Sequence, residues 1–126
     1  MSATDRRREA EGRGRKAEAL AAWLLRLKGY RVLSRRYRTP AGEIDIVARR
    51  GRTIAFVEVK MRAGEGEALE AVTAATRSRI ARAAALWVSR HPAAAELDHR
   101  FDVVIAIPGR LPRHRTAVFD SDGEIW

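Results

Sequence analysis

Cysteine is absent from this chain of 126 residues. That excludes disulfides and thiolate zinc sites. No apolar run approaches the roughly 18 residues that a membrane-spanning helix needs. Met1 to Lys16 is charged and carries no apolar stretch, so no signal peptide is expected there. Lysine is scarce, occurring only at Lys16, Lys28 and Lys60. These absences fit a cytoplasmic protein without a membrane partner.

What is present is ordinary in bulk and unusual in charge. Hydrophobic residues make up 46% of the chain, enough for one domain with a real core. The net charge is +9 and the pI about 11.2, with arginine supplying most of the excess. A GC-rich genome accounts for frequent arginine about equally well, but not for the missing acidic counterweight. Such an imbalance favours polyanionic partners, because each phosphate contact releases condensed counterions. Nucleic acid, DNA or RNA, is the expected partner, and the sequence leaves room for a homo-oligomer.

Along the chain, residues 1–14 read as a basic, frayed or loosely helical arm, interrupted by Gly12 and Gly14. A helix follows from about Arg15 to Lys28, with Leu20, Trp23, Leu24 and Leu27 as its inward stripe. Strands are expected over Tyr30–Tyr37, Glu43–Ala48, Thr53–Met61 and Phe101–Ile107, with a weak final strand at Thr116–Phe119. Ala63–Glu67 reads as a mobile loop and Ala68–Val72 as a short helical piece. A long helix from about Thr73 to Ser89 turns Ile80, Ala84, Trp87 and Val88 inward and stops before Pro92. Residues 15–119 form a single domain and 120–126 a tail. The order is αβββαβ, a mixed central sheet flanked by helices.

The chemistry concentrates in Gly42-Glu43-Ile44-Asp45-Ile46-Val47 and Ile54-Ala55-Phe56-Val57-Glu58-Val59-Lys60. Glu58 and Lys60 share one strand face, since side chains alternate with a period of two. A two-residue loop at Arg50-Gly51 sets Asp45 opposite Phe56, one diagonal step from Glu58. A four-residue loop from Arg50 to Thr53 sets Asp45 opposite Glu58 itself. Both loops leave the two carboxylates on one face, whereas a three- or five-residue loop separates them. Paired carboxylates beside a lysine suit a divalent cation and a water nucleophile. The competing reading is a cross-strand ion-pair cluster on a solvated face. Glu43 reads as a solvated residue of the opposite face, with a place behind the metal ligands as the alternative. Asp102 reads as structural, paired with an arginine. His91, His99 and His114 read as surface histidines, and Trp23 and Trp87 as core.

The helix with Glu18, the run Arg38-Thr39-Pro40-Ala41-Gly42-Glu43-Ile44-Asp45, the run Phe56-Val57-Glu58-Val59-Lys60-Met61-Arg62, and Arg100-Phe101-Asp102-Val103 together resemble the bacterial YraN-like family. The resemblance covers about residues 12 to 119. It implies a restriction-endonuclease-like, or PD-(D/E)XK, nuclease fold. By that resemblance Asp45 and Glu58 look like metal ligands, Lys60 like the lysine that orients the attacking water, and Glu18 like an outer catalytic carboxylate. Hard oxygen ligands imply Mg²⁺ or Mn²⁺. Arg35, Arg36 and Arg38, Arg62 after the motif lysine, and Arg77, Arg79 and Arg82 on the long helix are candidate phosphate contacts.

Two positions depart from the family pattern. Ala17 stands where a glycine often precedes the helix glutamate, and Thr76 where a lysine often opens the long helix. The leading expectation is a metal-dependent nuclease. The alternatives are a nucleic-acid-binding module of the same fold with weak or no cleavage, and a basic protein-interaction domain.

Overall fold

The computed structural model describes residues 2–126. Helix α1 runs Ala3–Leu27 and opens on a capping box, in which the Ser2 hydroxyl accepts from the Asp5 amide at 3.1 Å. Gly29, at φ +90°, ends it in the left-handed conformation that a helix stop favours. Strands β1 (Arg31–Thr39), β2 (Gly42–Arg50) and β3 (Thr53–Met61) follow as an antiparallel meander. Helices α2 (Glu65–Glu70) and α3 (Ala74–Ser89) and a 3₁₀ turn at Pro92–Glu96 cross over to β4 (Asp98–Ala106). That strand pairs parallel to β3, an arrangement that needs such a crossover. Strand β5 (Arg113–Phe119) closes the sheet, whose order is β1-β2-β3-β4-β5. This is the mixed α/β sheet flanked by helices that the sequence pattern implied, consistent with a restriction-endonuclease-like core.

The sheet carries a separate core on each face. On one, Ile44, Val47, Ile54, Phe56, Phe101 and Ile105 pack against Ile80, Ala83, Ala84 and Trp87 of α3. On the other, Ile46, Ala48, Ala55, Val57 and Val104 pack against Ala21, Ala22 and Leu25 of α1. The central strands are therefore apolar on both sides, as strands covered by helices must be. Among the described residues, no helix is long and apolar enough to cross a membrane.

Several local expectations are corrected. Helix α1 begins at Ala3, so the basic segment expected as a frayed or loosely helical arm forms its first turns. Its inward stripe is Ala17, Glu18, Ala21, Ala22 and Leu25, while Leu20, Trp23 and Leu27 are 37%, 47% and 65% exposed. Close approach of a helix to a sheet favours alanine over bulk, and the larger apolar residues turn outward. Trp23 is thus not core, although Trp87 is. Helix α2 takes up much of the expected loop at 63–67.

Gly42 fixes how α3 sits on the sheet. A Cβ there would lie 2.7 Å from the Arg79 carbonyl oxygen and 2.9 Å from the Arg79 Cβ. Helix backbone cannot yield as a flexible side chain does. Gly42→Ala is therefore expected to destabilise the fold by about 1–3 kcal/mol, the usual range for overpacking. Chemical denaturation monitored by circular dichroism checks this; an unchanged midpoint would show that α3 is free to move away.

Candidate metal and phosphate site

Strands β2 and β3 are joined by the two-residue turn Gly51-Arg52, one position later than the shorter loop considered from sequence. Gly51 has φ +61°, the sign required at the first position of a type II′ turn. Arg50 pairs with Thr53 and Ile46 with Val57. The paired register ends there, one residue short of Asp45 on β2 and of Glu58 on β3. There the ladder gives way: the Asp45 carboxylate accepts the Val59 amide at 2.7 Å, taking the place of a backbone acceptor.

The two carboxylates stand where two clefts meet. One, of about 470 Å³, is lined by Glu11, Arg15 and Glu18 of α1, by Arg36 and Arg38 of β1, and by Asp45 and Glu58. The other, of about 280 Å³, adds Glu43, Lys60, Thr76 and Arg79 to the same pair. Asp45, Glu58 and Lys60 thus share a site that opens towards both helices. Burial pushes the Glu58 carboxyl up to about 9, and a hydrogen bond with Asp45 and the Asp45 charge add to the rise; Lys60 works against it. Glu58 therefore keeps its proton well above the ordinary carboxyl range in the absence of a cation.

The remaining predicted residues divide by what already engages them. Glu18 is buried, and its carboxylate is gripped by Arg36 Nε at 3.0 Å and Arg35 Nε at 3.3 Å. It lines the cleft as a clamped anion rather than a free ligand. Arg36 reaches it from φ +53°, an uncommon conformation for a residue with a side chain. Arg38 lies in the cleft and is largely exposed, with only a loose 3.6 Å pairing to Glu43. Arg79 faces the second cleft, and Arg62 is exposed beside the Met61 carbonyl.

Arg77 is not brought to the site. Its guanidinium donates to the carbonyls of Val72 and Gly123 at 2.7 and 2.8 Å, pinning the C-terminal tail to α3. Glu43, expected on the opposite face, lines the cleft with Asp45. The two-residue spacing of Glu43 and Asp45 in the sequence was the signal that could have found it. His114 is not a surface histidine: its side chain is 2% exposed.

The donor set can be weighed against a cation. Among the described residues, no group of three or more acidic, histidine or cysteine side chains is arranged to enclose an ion. Two converging carboxylates suit Mg²⁺ or Mn²⁺, which are held by one or two carboxylates and keep several waters. A divalent cation bound there would take the place of the proton that Glu58 keeps.

A sequence model described as Uncharacterised protein family UPF0102 matches residues 17–106. A UPF0102 protein of Methylorubrum extorquens is 52% identical over 118 residues, covering 94% of this chain and 92% of its own. One from Rhizobium johnstonii is 53% identical over 108 residues, covering 86% and 88%. One from Parvibaculum lavamentivorans is 59% identical over 102 residues, covering 80% and 76%.

The raised Glu58 value has a consequence for stability. Between its ordinary 4.5 and about 9, folded Glu58 keeps a proton that the unfolded chain has released. Stability of the chelator-treated protein therefore falls as pH rises through that window. Glu58→Gln, which cannot ionise, is expected to flatten the decline. Thermal melts at several pH values measure it; equal slopes for the two proteins would mean the carboxylate is not held apart from water.

Proposed function

This chain belongs to the UPF0102 family, and on that premise we propose that it is a metal-dependent phosphodiesterase acting on nucleic acid, with its cation held by Asp45 and Glu58. The observation that carries this reading is the convergence of Asp45, Glu58 and Lys60 at the meeting point of two clefts rimmed by arginine. A divalent cation held there supplies a bound water of lowered pKa and a Lewis acid for a phosphoryl oxygen.

The chain's own residues do the rest. Asp45 and Glu58 provide the negative charge that selects a hard cation. Asp45 is fixed by the Val59 amide, so its geometry is set before any ligand arrives. Lys60 donates towards the attacking oxygen and offsets charge that develops on the phosphoryl group. Arg38 and Arg79 stand on either side with their guanidinium groups largely free, and position the phosphate backbone without reading bases. Glu18 holds Arg36 in the cleft wall, which keeps that cation near the phosphate path.

Thr76 supports a second reading. It lines the second cleft with a short neutral side chain at the position where the resembling proteins often carry lysine. A module that binds nucleic acid and cleaves weakly would have this arrangement.

Activity assays over single-stranded, duplex and branched substrates test the first reading. Cleavage is expected with Mg²⁺ or Mn²⁺, to stop with chelator, and to vanish in Asp45→Asn. Lys60→Ala should lower kcat by about 10²–10³-fold, the scale for losing one group that stabilises transition-state charge. Cleavage that survives chelation would rule the reading out, and binding without cleavage on every substrate would put the second reading in its place.

Salt dependence separates the arginines. Arg38→Ala and Arg79→Ala should each flatten the log–log salt slope of duplex DNA binding by roughly 0.9. Arg77→Ala should leave the slope unchanged and lower thermal stability, because its partners are carbonyls. A flatter slope for Arg77→Ala instead would place that residue on the nucleic acid.

A further inference from the structure

A second polar cluster lies outside the clefts. Asp102 on β4 has no exposed surface, yet its carboxylate is fully engaged. Oδ1 accepts from Arg100 Nε at 2.9 Å and from the Ala117 amide at 3.0 Å. Oδ2 accepts from Arg100 Nη2 and is paired with His114 Nε2, both at 2.8 Å. Burial alone would raise Asp102, but the bonds from His114, Arg100 and Ala117 prevail and hold it below the usual carboxylate range. Ala117 reaches its partner from φ +52°, at an irregularity in the pairing of β4 with β5.

His114 carries the cluster to the surface. Its Nδ1 lies 2.6 Å from Nζ of Lys28, the residue that caps α1. An ammonium group only donates, so Nδ1 accepts and Nε2–H donates to Asp102. Lys28 is exposed. The charged and titratable groups around it come from three strands and the turn after α1: Arg50 of β2, which donates to the Lys28 carbonyl; Arg100 and Asp102 of β4; His114 of β5; and Tyr30 of the turn. Tyr30 accepts from Arg100, lies under the Arg50 guanidinium and meets His114 edge-on. Burial and then Arg50 hold the Lys28 ammonium below the usual lysine range, with Asp102 acting in the opposite sense.

We propose that Lys28 is an acyl-acceptor site: its amine, backed by His114 and Asp102, takes the acyl group of a thioester of the acyl-coenzyme A class. The arrangement repeats the logic of a nucleophile, an imidazole base and an orienting carboxylate. The uncharged Nζ attacks the thioester carbonyl carbon. A C–N bond forms and the C–S bond breaks. The proton leaving nitrogen passes to His114 Nδ1 and then to the departing thiolate. The products are an N-acyl-lysine and a free thiol, with no oxidant or reductant involved. Asp102 keeps the imidazole in the tautomer that accepts at Nδ1 and stabilises its charged form. Among the described residues, Lys28 is the one lysine with a hydrogen-bonded imidazole.

The chain's three lysines make the test internal. The full chain is incubated with acetyl-coenzyme A and mapped by peptide mass spectrometry over time. Lys28 is expected to be acetylated at least about tenfold faster than Lys16 or Lys60, a conservative share of the 10²–10⁴-fold that a positioned base supplies. His114→Gln should bring Lys28 down to the rate of Lys16. If circular dichroism shows that this variant does not fold, the wild-type pH profile decides: Lys28 acetylation should reach its plateau at lower pH than that of Lys16. Equal rates at the three lysines, a preference that persists in folded His114→Gln, or coincident pH profiles would each overturn the assignment.

Discussion

The register of one hairpin decides whether this protein has a site at all. Gly51 takes a left-handed φ at the first position of a two-residue turn, and that turn sets Arg50 against Thr53 and Ile46 against Val57. Because side chains alternate, a slip of one residue would move either Asp45 or Glu58 to the other face of the sheet. The apolar neighbours guard the register. Ile46 and Val57 are wholly buried towards α1, while Val47 and Phe56 are buried towards α3. Any slip would expose both sets. The energy that fixes the core therefore also fixes the distance between the carboxylates.

The helices turn that pair into a cleft. On one side α1 approaches closely enough for Glu18 to be buried on the sheet, because its contact face is built from Ala17, Ala21 and Ala22. On the other, Gly42 lets the backbone of Arg79 come down on β2, which brings Thr76 and Arg79 beside Lys60. Small residues at both contacts do the same work: they exchange side-chain volume for proximity of backbone and polar groups. Among the described residues, the two non-glycine residues with positive φ, Arg36 and Ala117, each aim a donor at a buried carboxylate. Local backbone cost is offset there by charge-assisted hydrogen bonds.

Much of this was legible in the residues. Alternation over Val57–Lys60 places Glu58 and Lys60 on one face, and the αβββαβ order with its mixed sheet follows from periodicity and turn residues. The α1 face is not legible in a helical stripe, where the bulk of Leu20, Trp23 and Leu27 outweighs alanine although alanine packs closest. His114 and Arg77 were misread for a different reason. Their partners, Asp102 and the Gly123 carbonyl, lie 12 and 46 residues away and meet them only once the sheet and tail have formed. No local pattern carries that information. Glu18 stands between the two cases: its place near the site was implied by resemblance, but its clamping by Arg35 and Arg36 depends on how β1 irregularly pairs with β2.

Everything proposed for this protein's chemistry requires Asp45 and Glu58 to form one cation site. Diffraction from crystals soaked in Mn²⁺, recorded where manganese scatters anomalously, tests it most directly. A single strong anomalous peak ligated by both carboxylates is expected, and its loss in crystals of Asp45→Asn. A pair that stays hydrogen-bonded to itself, or to Lys60, with no peak between its oxygens would contradict it.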